Sequence, residues 1–328
     1  MPIEIDETNH ALGEFLSPTP LRHCAELSKL SGAHVWFKLE NRQPTGSFKV
    51  RGAFAKMLAC EETHHSAGPP RGYVAASTGN HGAAVAHAAK ELNRSALIFV
   101  PEGAAGTKLA MIAGRSARIV KHGQDCLEAE TEARRYAQEN NLVYISPYND
   151  PDVVAGQGTI VDELIEQFES EALDVVIASV GGGGLIGGIA SRLHDFHPNA
   201  RAIGVSPENS CVLIDSLAAG RVVPDSGLPT LSDGTAGGIE ENAVTLEICR
   251  RHVDHFTTVT EDDIARTLRW FQTAYDDRIE GAAAVAIAGF LKLKNNFAGQ
   301  NVVIVLCGGN IDEETLARLA APVDQASA

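Results

Sequence analysis

The segment Asp174-Val-Val-Ile-Ala-Ser-Val180 runs into Gly181-Gly-Gly-Gly184 and then into Leu185-Ile-Gly-Gly-Ile-Ala190. The first part is a run of apolar, mostly β-branched residues, which predicts a buried strand of a parallel sheet. The last part predicts the start of a helix. A strand that passes through glycines into a helix brings backbone N–H groups and the positive end of the helix dipole to one point, which favours a bound phosphate. The predicted phosphate-binding residues are Gly181, Gly182, Gly183 and Gly184.

The same glycines leave two alternatives open. Gly182-x-Gly184-x-x-Gly187 satisfies the dinucleotide-binding fingerprint, and Glu208 follows 24 residues after Gly184, near the position expected for an acidic ribose ligand. A nicotinamide-dependent oxidoreductase is therefore one alternative. A purely structural tight turn is the other, and it is disfavoured because four consecutive glycines cost much conformational entropy.

Strands and helices alternate on both sides of this segment. In the first half, strands are predicted at Tyr73–Ala76, Ala96–Val100, Ala117–Val120 and Leu142–Ile145, with helices at 80–90, 107–113 and 126–139. In the second half, strands are predicted at Asp174–Val180, Ala202–Val205 and Asn301–Leu306, with helices at 282–288 and from a capping box at Thr260–Asp263 towards Tyr275. This alternation predicts an α/β fold with parallel sheets, in which residues 72–149 form a compact unit.

Length and composition limit the class of protein. The chain has 328 residues, enough for about two domains. Its net charge of −15 argues against nucleic acid and anionic membranes as partners, because phosphates attract basic surfaces. The six cysteines are far apart and form no CxxC pair, the first residues do not resemble a secretory signal, and no apolar run approaches the length of a membrane span. We therefore expect a cytoplasmic protein.

Two further segments carry chemistry. Asn41-Arg-Gln-Pro-Thr-Gly-Ser-Phe-Lys49-Val-Arg-Gly-Ala53 places one lysine at a predicted helix start, where partial desolvation lowers its pKa and favours attack on a carbonyl carbon. Ser77-Thr-Gly-Asn-His-Gly82 lies between a strand and a helix, where side chains and loop amides suit a carboxylate. Taken alone, the first segment is better explained by a surface lysine beside a turn, and an ordinary N-cap explains the second segment equally well.

Together, these motifs and Cys307-Gly-Gly-Asn310 follow one another in an order that resembles the serine/threonine dehydratase family of enzymes dependent on pyridoxal 5′-phosphate, which includes serine racemase. The resemblance extends from about Pro18 to about Leu319. It implies the tryptophan-synthase β-type fold (fold type II), with two open, twisted, mainly parallel sheets flanked by helices. The cofactor then lies between a large domain (1–71 and 150–328) and a small domain (72–149).

The resemblance also implies roles for individual residues. Lys49 would join the cofactor aldehyde covalently and later remove the substrate Cα proton, and Phe48 would pack against the cofactor ring. Asn80 would bind the 3′-oxygen of the ring. The loop that receives the substrate carboxylate would consist of Ser77, Thr78, Gly79, Asn80 and His81.

Three later residues would complete the cofactor site. Glu280 corresponds to an acidic residue near the pyridine ring, with a helix cap as the alternative, and Gly238 corresponds more loosely to a segment near the cofactor. Cys307 would face the pyridine nitrogen, with a buried structural thiol as the alternative. A neutral partner at that nitrogen makes the cofactor a weaker electron sink, which disfavours transamination and suits elimination.

The implied activity is an ammonia-lyase that converts a 3-hydroxy amino acid, by default L-threonine or L-serine, to a 2-oxo acid and ammonia. Racemisation is disfavoured because Thr78 is bulkier than the serine of racemases. A specialised substrate such as 3-hydroxyaspartate, and an inactive amino-acid sensor, stay open. The resemblance further implies a homodimer and a divalent-cation site at Glu208, with Asp215 as a second ligand, although the spacing between them departs from the family. Arginines considered for a second substrate carboxylate are Arg42, Arg51, Arg115 and Arg118.

Overall fold

The computed structural model describes residues 11–63, 70–115, 117–168 and 172–320, which contain a six-stranded and a four-stranded sheet. The strands are β1 (Leu21–His23), β2 (His34–Lys38), β3 (Tyr73–Ala76), β4 (Ala96–Val100), β5 (Arg118–Lys121), β6 (Val143–Tyr144), β7 (Val175–Ser179), β8 (Arg201–Pro207), β9 (His255–Val259) and β10 (Asn301–Val305). The six-stranded sheet has the order β1-β2-β10-β7-β8-β9, and the four-stranded sheet has the order β5-β4-β3-β6. The β1–β2 pair is antiparallel and the other pairs are parallel, which confirms the predicted α/β class with mainly parallel sheets.

Helices flank both sheets. They are α1 (Ala25–Ser31), α2 (Lys49–Thr63), α3 (Asn80–Glu91), α4 (Gly106–Ala113), α5 (Cys126–Glu139), α6 (Pro151–Phe168), α7 (Gly184–Phe196), α8 (Val212–Ala219), α9 (Val244–His252), α10 (Glu261–Ala274), α11 (Gly281–Leu293) and α12 (Glu313–Ala320). Short 3-10 helices occur at Glu40–Arg42, Asp233–Thr235 and Lys294–Asn296. Within the described ranges, no helix has both the length and the apolarity that a membrane span needs.

The predicted strands and helices are found within a few residues of their expected positions. β3, β4 and α5 have the predicted bounds, whereas the strand expected at Leu142–Ile145 is reduced to Val143–Tyr144. The predicted capping box is present, because the Thr260 side chain and Asp263 exchange hydrogen bonds at the start of α10.

Three strands of the six-stranded sheet were not predicted from the sequence, namely β1, β2 and β9. β1 and β9 are edge strands whose residues, apart from the buried Val259, are partly buried or exposed, so they lack a continuous apolar run. β2 lies inside the sheet, but it ends in Lys38, a charged residue that is nevertheless fully buried. Burial of this lysine depends on an ion pair with Glu163, and a strand pattern does not reveal such a pair.

The helix that carries Lys49 connects the two sheets. It begins next to the six-stranded sheet, where the Phe48 N–H donates to the Cys307 carbonyl at 3.0 Å. Its apolar residues Val50, Phe54 and Met57 are buried in the same core cluster as the β3, β4 and α3 residues of the four-stranded sheet. The start of α2 is therefore held between the two sheets.

Candidate active site

Several segments of the site follow the carboxyl ends of parallel strands from both sheets. Gly181 comes two residues after β7, and Cys307 comes two residues after β10. Ser77 follows β3 directly, and Pro147 lies shortly after β6. The crevice outside the carboxyl ends of parallel strands is where open α/β sheets bind ligands. The hydrogen bonds described below bring these segments together.

Lys49 is the first residue of α2, and its Nζ donates a hydrogen bond to the Pro147 carbonyl at 2.8 Å. The same Nζ lies 5.1 Å from the centroid of the Phe48 ring. Burial lowers the pKa of Lys49 to about 8, although Cys307 and Glu280 act in the opposite direction. An appreciable fraction of the amine is therefore unprotonated, and nucleophilic, near neutral pH.

The glycine loop leaves no room for side chains. A Cβ atom on Gly181 would lie 2.8 Å from the Thr235 carbonyl oxygen, and one on Gly182 would lie 2.4 Å from Tyr148 Cγ. Gly183 has a φ of +86°, a conformation that favours glycine. Gly184 begins α7, and the N–H groups in the first turn of a helix lack intrahelical partners. The loop thus combines a close approach of backbone with free donors, as an anion site requires.

The Ser77–His81 loop lies at the N-terminus of α3. The Gly79 N–H donates to Ser77 Oγ at 3.1 Å, and α3 begins at Asn80. Thr78 is half-buried in the loop. His81 Nε2 lies 2.9 Å from the Ile145 carbonyl oxygen, and since a carbonyl can only accept, Nε2 carries the proton. Burial, followed by the charge of Lys49, lowers the pKa of His81 to about 3, so the imidazole is neutral.

Asn80 and Glu280 are in direct contact, although 200 residues separate them in sequence. Asn80 Nδ2 donates to both carboxylate oxygens of Glu280 at 2.9 Å, and Asn310 Nδ2 donates to Asn80 Oδ1 at 2.7 Å. Glu280 occupies the N-cap position of α11, but its side chain makes no capping hydrogen bond. Burial raises the pKa of Glu280 to about 7. The carboxyl group can therefore exchange a proton near neutral pH.

Cys307 is a buried thiol at the end of the central strand β10. Burial, and the nearby charge of Glu280, raise its pKa far above the usual range of a cysteine. Ser179 Oγ donates to Cys307 Sγ at 3.4 Å. The thiol is therefore neutral at physiological pH.

Gly238 lies differently from the other predicted cofactor residues. It is exposed, and a Cβ atom placed on it would meet nothing within 4 Å. From the same segment it is Thr235 that contacts the glycine loop, through the close approach of its carbonyl to Gly181. Contact between Gly238 and the cofactor stays a prediction.

Two of the arginines considered for a second substrate carboxylate already pair with carboxylates of the protein. Arg51 is buried and binds Glu40 at 2.8 Å and Glu163 at 2.7 Å, so it has a structural role. Arg42 is exposed and pairs with Asp277 at 2.9 Å. Arg118 is exposed at the start of β5, and Arg115 donates to the carbonyls of Met111 and Pro44.

The predicted cation ligands do not converge. Glu208 is exposed and accepts a hydrogen bond from Thr258 Oγ1 at 3.5 Å, whereas the Asp215 carboxylate accepts from Cys211 Sγ at 3.3 Å. Across the described parts of the chain, no group of three or more His, Cys, Asp or Glu side chains is placed to hold a metal ion. A divalent cation thus has no support from this arrangement.

The sequence analysis overlooked the segment Ser146-Pro-Tyr-Asn149. Pro147 binds the Lys49 amine, and the Tyr148 ring lies against Gly182, while the Tyr148 hydroxyl accepts from the Glu240 N–H at 2.9 Å. The position of the segment after a predicted parallel strand was the available signal. Asn310 was also overlooked, although it ends the Cys307-Gly-Gly-Asn310 motif.

Comparisons with known proteins agree with this geometry. Residues 13–308 match the protein family described as pyridoxal-phosphate dependent enzyme. The chain is similar to an L-threonine ammonia-lyase of Thermotoga maritima (36% identity, 96% of this chain and 77% of the relative). It is also similar to an L-threo-3-hydroxyaspartate ammonia-lyase of Saccharomyces cerevisiae (33% identity, 96% and 95%). Its fold resembles the solved structure of the processed form of threonine deaminase isoform 2 from Solanum lycopersicum, with a TM-score of 0.89, 30% identity, and coverage of 97% of this chain and 92% of that one.

Proposed function

The chain belongs to the family of pyridoxal-phosphate-dependent enzymes, as one of its serine/threonine dehydratase-type lyases, and from this premise we propose that it deaminates L-threonine or L-serine. The products would be a 2-oxo acid and ammonia. The amino acid first loses its α-proton and β-hydroxyl as water, and the resulting enamine takes up water and releases ammonia. The similarity to an L-threonine ammonia-lyase over 96% of this chain supports the choice of substrate.

The residues present fit pyridoxal phosphate. Lys49 offers a partly unprotonated amine for the aldehyde, and the loop from Gly181 to Gly184, which leads into the N-terminus of α7, offers backbone N–H groups for the phosphate. Asn80, Glu280 and Cys307 would surround the ring. When bound, the cofactor withdraws electrons from the substrate Cα and so weakens its Cα–H bond.

Lys49 is the base of the proposed reaction. Because burial lowers its pKa to about 8, the free amine can accept the α-proton without a large energetic cost at neutral pH. The Pro147 carbonyl, 2.8 Å from Nζ, orients the amine and then stabilises the ammonium ion that proton transfer creates. This single contact, between an amine of lowered pKa and an acceptor beside the glycine loop, is the observation that carries the proposal.

The other residues of the site would bind the substrate carboxylate and the cofactor ring. The Ser77–His81 loop presents the N-terminus of α3 to the substrate carboxylate, and neutral His81 anchors that loop to Ile145. Cys307 would supply a neutral partner for the ring nitrogen, which would make the cofactor a weaker electron sink and so favour elimination over transamination.

A substrate panel tests the function. The protein with cofactor is given L-threonine, L-serine or L-threo-3-hydroxyaspartate, each with and without EDTA, and 2-oxo acid and ammonia are both measured. We expect equal amounts of both products from L-threonine or L-serine, and none from the Lys49→Ala variant. A preference for 3-hydroxyaspartate would show that the substrate is of the kind named for the Saccharomyces cerevisiae relative. If no 3-hydroxy amino acid yields a 2-oxo acid, the proposal is wrong.

We also propose that the enzyme is a cytoplasmic homodimer whose small domain (72–149) closes on the rest of the chain when substrate binds. The wide spacing of the six cysteines, with no CxxC pair, supports a reducing compartment. The separate four-stranded sheet supports a movable unit, because closure would exclude water from a reactive enamine. Light scattering would give the oligomeric state, and an unchanged radius of gyration with a bound inhibitor would contradict closure.

A further inference from the structure

Helix α2 carries two lysines that bind the same neighbouring segment. Lys49 donates to the Pro147 carbonyl at 2.8 Å, and Lys56 forms ion pairs with Asp150 at 2.8 Å and Asp152 at 2.9 Å. Residues seven positions apart on an α-helix lie on the same face, two turns apart, or about 10.5 Å along the axis. The helix is therefore attached at two points to one stretch of chain, which we call the 147–152 segment.

The 147–152 segment is itself held in place. The Asn149 N–H donates to Ser146 Oγ at 3.0 Å, and Asn149 Oδ1 accepts from the Val244 N–H at 2.9 Å. The Tyr148 hydroxyl accepts from the Glu240 N–H at 2.9 Å. The segment then enters α6 at Pro151. The 147–152 segment is therefore a fixed attachment site for α2, and it lies beside the glycine loop.

We propose that Lys56 is a positioning residue, whose ion pairs with Asp150 and Asp152 hold α2 where the Lys49 amine meets the Pro147 carbonyl. The inference rests on the proposed function, in which Lys49 is the base. An α-helix is stiff over two turns, so a shift or rotation at Lys56 moves Lys49 as well. Lys56 lies too far along the helix to touch the reacting atoms.

The ion pair is suited to this role. The side chains of Lys56 and Asp150 are 20% and 15% exposed, so solvent screens the pair less than a surface pair. Burial would lower the pKa of Lys56, but Asp150 and Asp152 outweigh it and raise that pKa, so the ammonium stays charged at neutral pH. Two carboxylates on one ammonium restrict both the rotation and the axial position of the helix.

Lys56→Met removes the attachment, and Lys56→Arg retains the charge. Asp150→Asn is a second, nearly isosteric variant that weakens the pair without removing a side chain. The matched control is Arg94→Met, which breaks the ion pair between Arg94 and Glu61, a residue of α2. The exposure of this pair is similar to that of the pair between Lys56 and Asp150. That pair does not involve the 147–152 segment.

Two measurements are made on each variant. The first is the division of the effect between kcat and KM for the best substrate, and the second is the pH midpoint for acetylation of Lys49 in the cofactor-free protein, read by peptide mapping. Cys307, Glu280 and His81, the other titratable groups that act on or near this amine, are unchanged in every variant.

We expect Lys56→Met to lower kcat about tenfold with little change in KM, since misplacing a reacting group slows the chemical step. The acetylation midpoint should fall, because the ammonium form loses its acceptor. Lys56→Arg should restore both values, Asp150→Asn should lie between, and Arg94→Met should leave both unchanged. Wild-type values in Lys56→Met, or equal losses in Arg94→Met, would overturn the inference. If the wild-type protein has no lyase activity, the proposed function fails, and the acetylation midpoint alone still decides whether Lys56 positions Lys49.

Discussion

Replacing Gly182 with alanine tests the glycine loop directly. The new Cβ atom would lie 2.4 Å from Tyr148 Cγ and 2.6 Å from Cδ1, whereas carbon atoms in contact are normally about 3.5–4.0 Å apart. Cγ lies near the base of the side chain, so the ring cannot simply rotate out of the way. It is also held at its far end by the Glu240 N–H. The ring or the loop must therefore move by about 1 Å, which would break a loop hydrogen bond to the phosphate, and a hydrogen bond to a charged group contributes about 1.5–3 kcal/mol.

The measurement is cofactor affinity, by titrating cofactor-free protein with pyridoxal phosphate and following the absorbance of the bound form. We expect Gly182→Ala to weaken binding by about two orders of magnitude, which corresponds to about 2.7 kcal/mol. The control is Gly238→Ala, because Gly238 is exposed and a Cβ atom there meets nothing within 4 Å. Wild-type affinity in Gly182→Ala would refute the steric reasoning, and a large loss in Gly238→Ala would instead place Gly238 in the cofactor site.

Three other outcomes follow from the pKa shifts and the buried charges. The rate at which cofactor-free protein takes up pyridoxal phosphate should rise with pH to a plateau with a midpoint near 8, because the neutral amine of Lys49 is the reactive form; a midpoint above 10 in stopped-flow absorbance would contradict this. Arg51→Met should lower the free energy of unfolding in urea by about 3–5 kcal/mol at pH 8, because it leaves the buried carboxylates of Glu40 and Glu163 without this partner. In the wild-type protein, burial acts to raise the pKa of Glu40 and Arg51 acts to lower it, and the net result is a lowered pKa. Removal of Arg51 therefore raises the pKa of Glu40, so the loss of unfolding free energy in the variant should shrink as the pH falls towards 5 and Glu40 becomes protonated. A loss of stability that does not change with pH would be evidence against this. Cys307→Asp should increase transamination relative to elimination, since a carboxylate would stabilise a protonated ring nitrogen. An unchanged ratio of pyridoxamine phosphate to released ammonia would contradict the view that a neutral thiol suppresses transamination.

Local patterns explain why much of the fold was predictable. Strands such as β3 and β4 and helices such as α5 depend on the periodicity of neighbouring residues, which is present in any window of sequence. The edge strands β1 and β9 were missed because their burial depends on which strands pair beside them. β2 was missed because the burial of its Lys38 requires Glu163, 125 residues away.

The chemistry available to this protein is legible in its local motifs: a lysine after Ser-Phe, a strand that enters four glycines, and a Ser-Thr-Gly-Asn-His loop, in the order of a pyridoxal-phosphate-dependent lyase. Tertiary structure decided how those groups act. The contacts of Lys49 with Pro147 and of Asn80 with Glu280 span 98 and 200 residues, and they exist because tertiary packing places these distant segments side by side. Burial in that crevice then sets the pKa values of Lys49 and Glu280, since desolvation depends on the packing around a group and not on its neighbours in sequence.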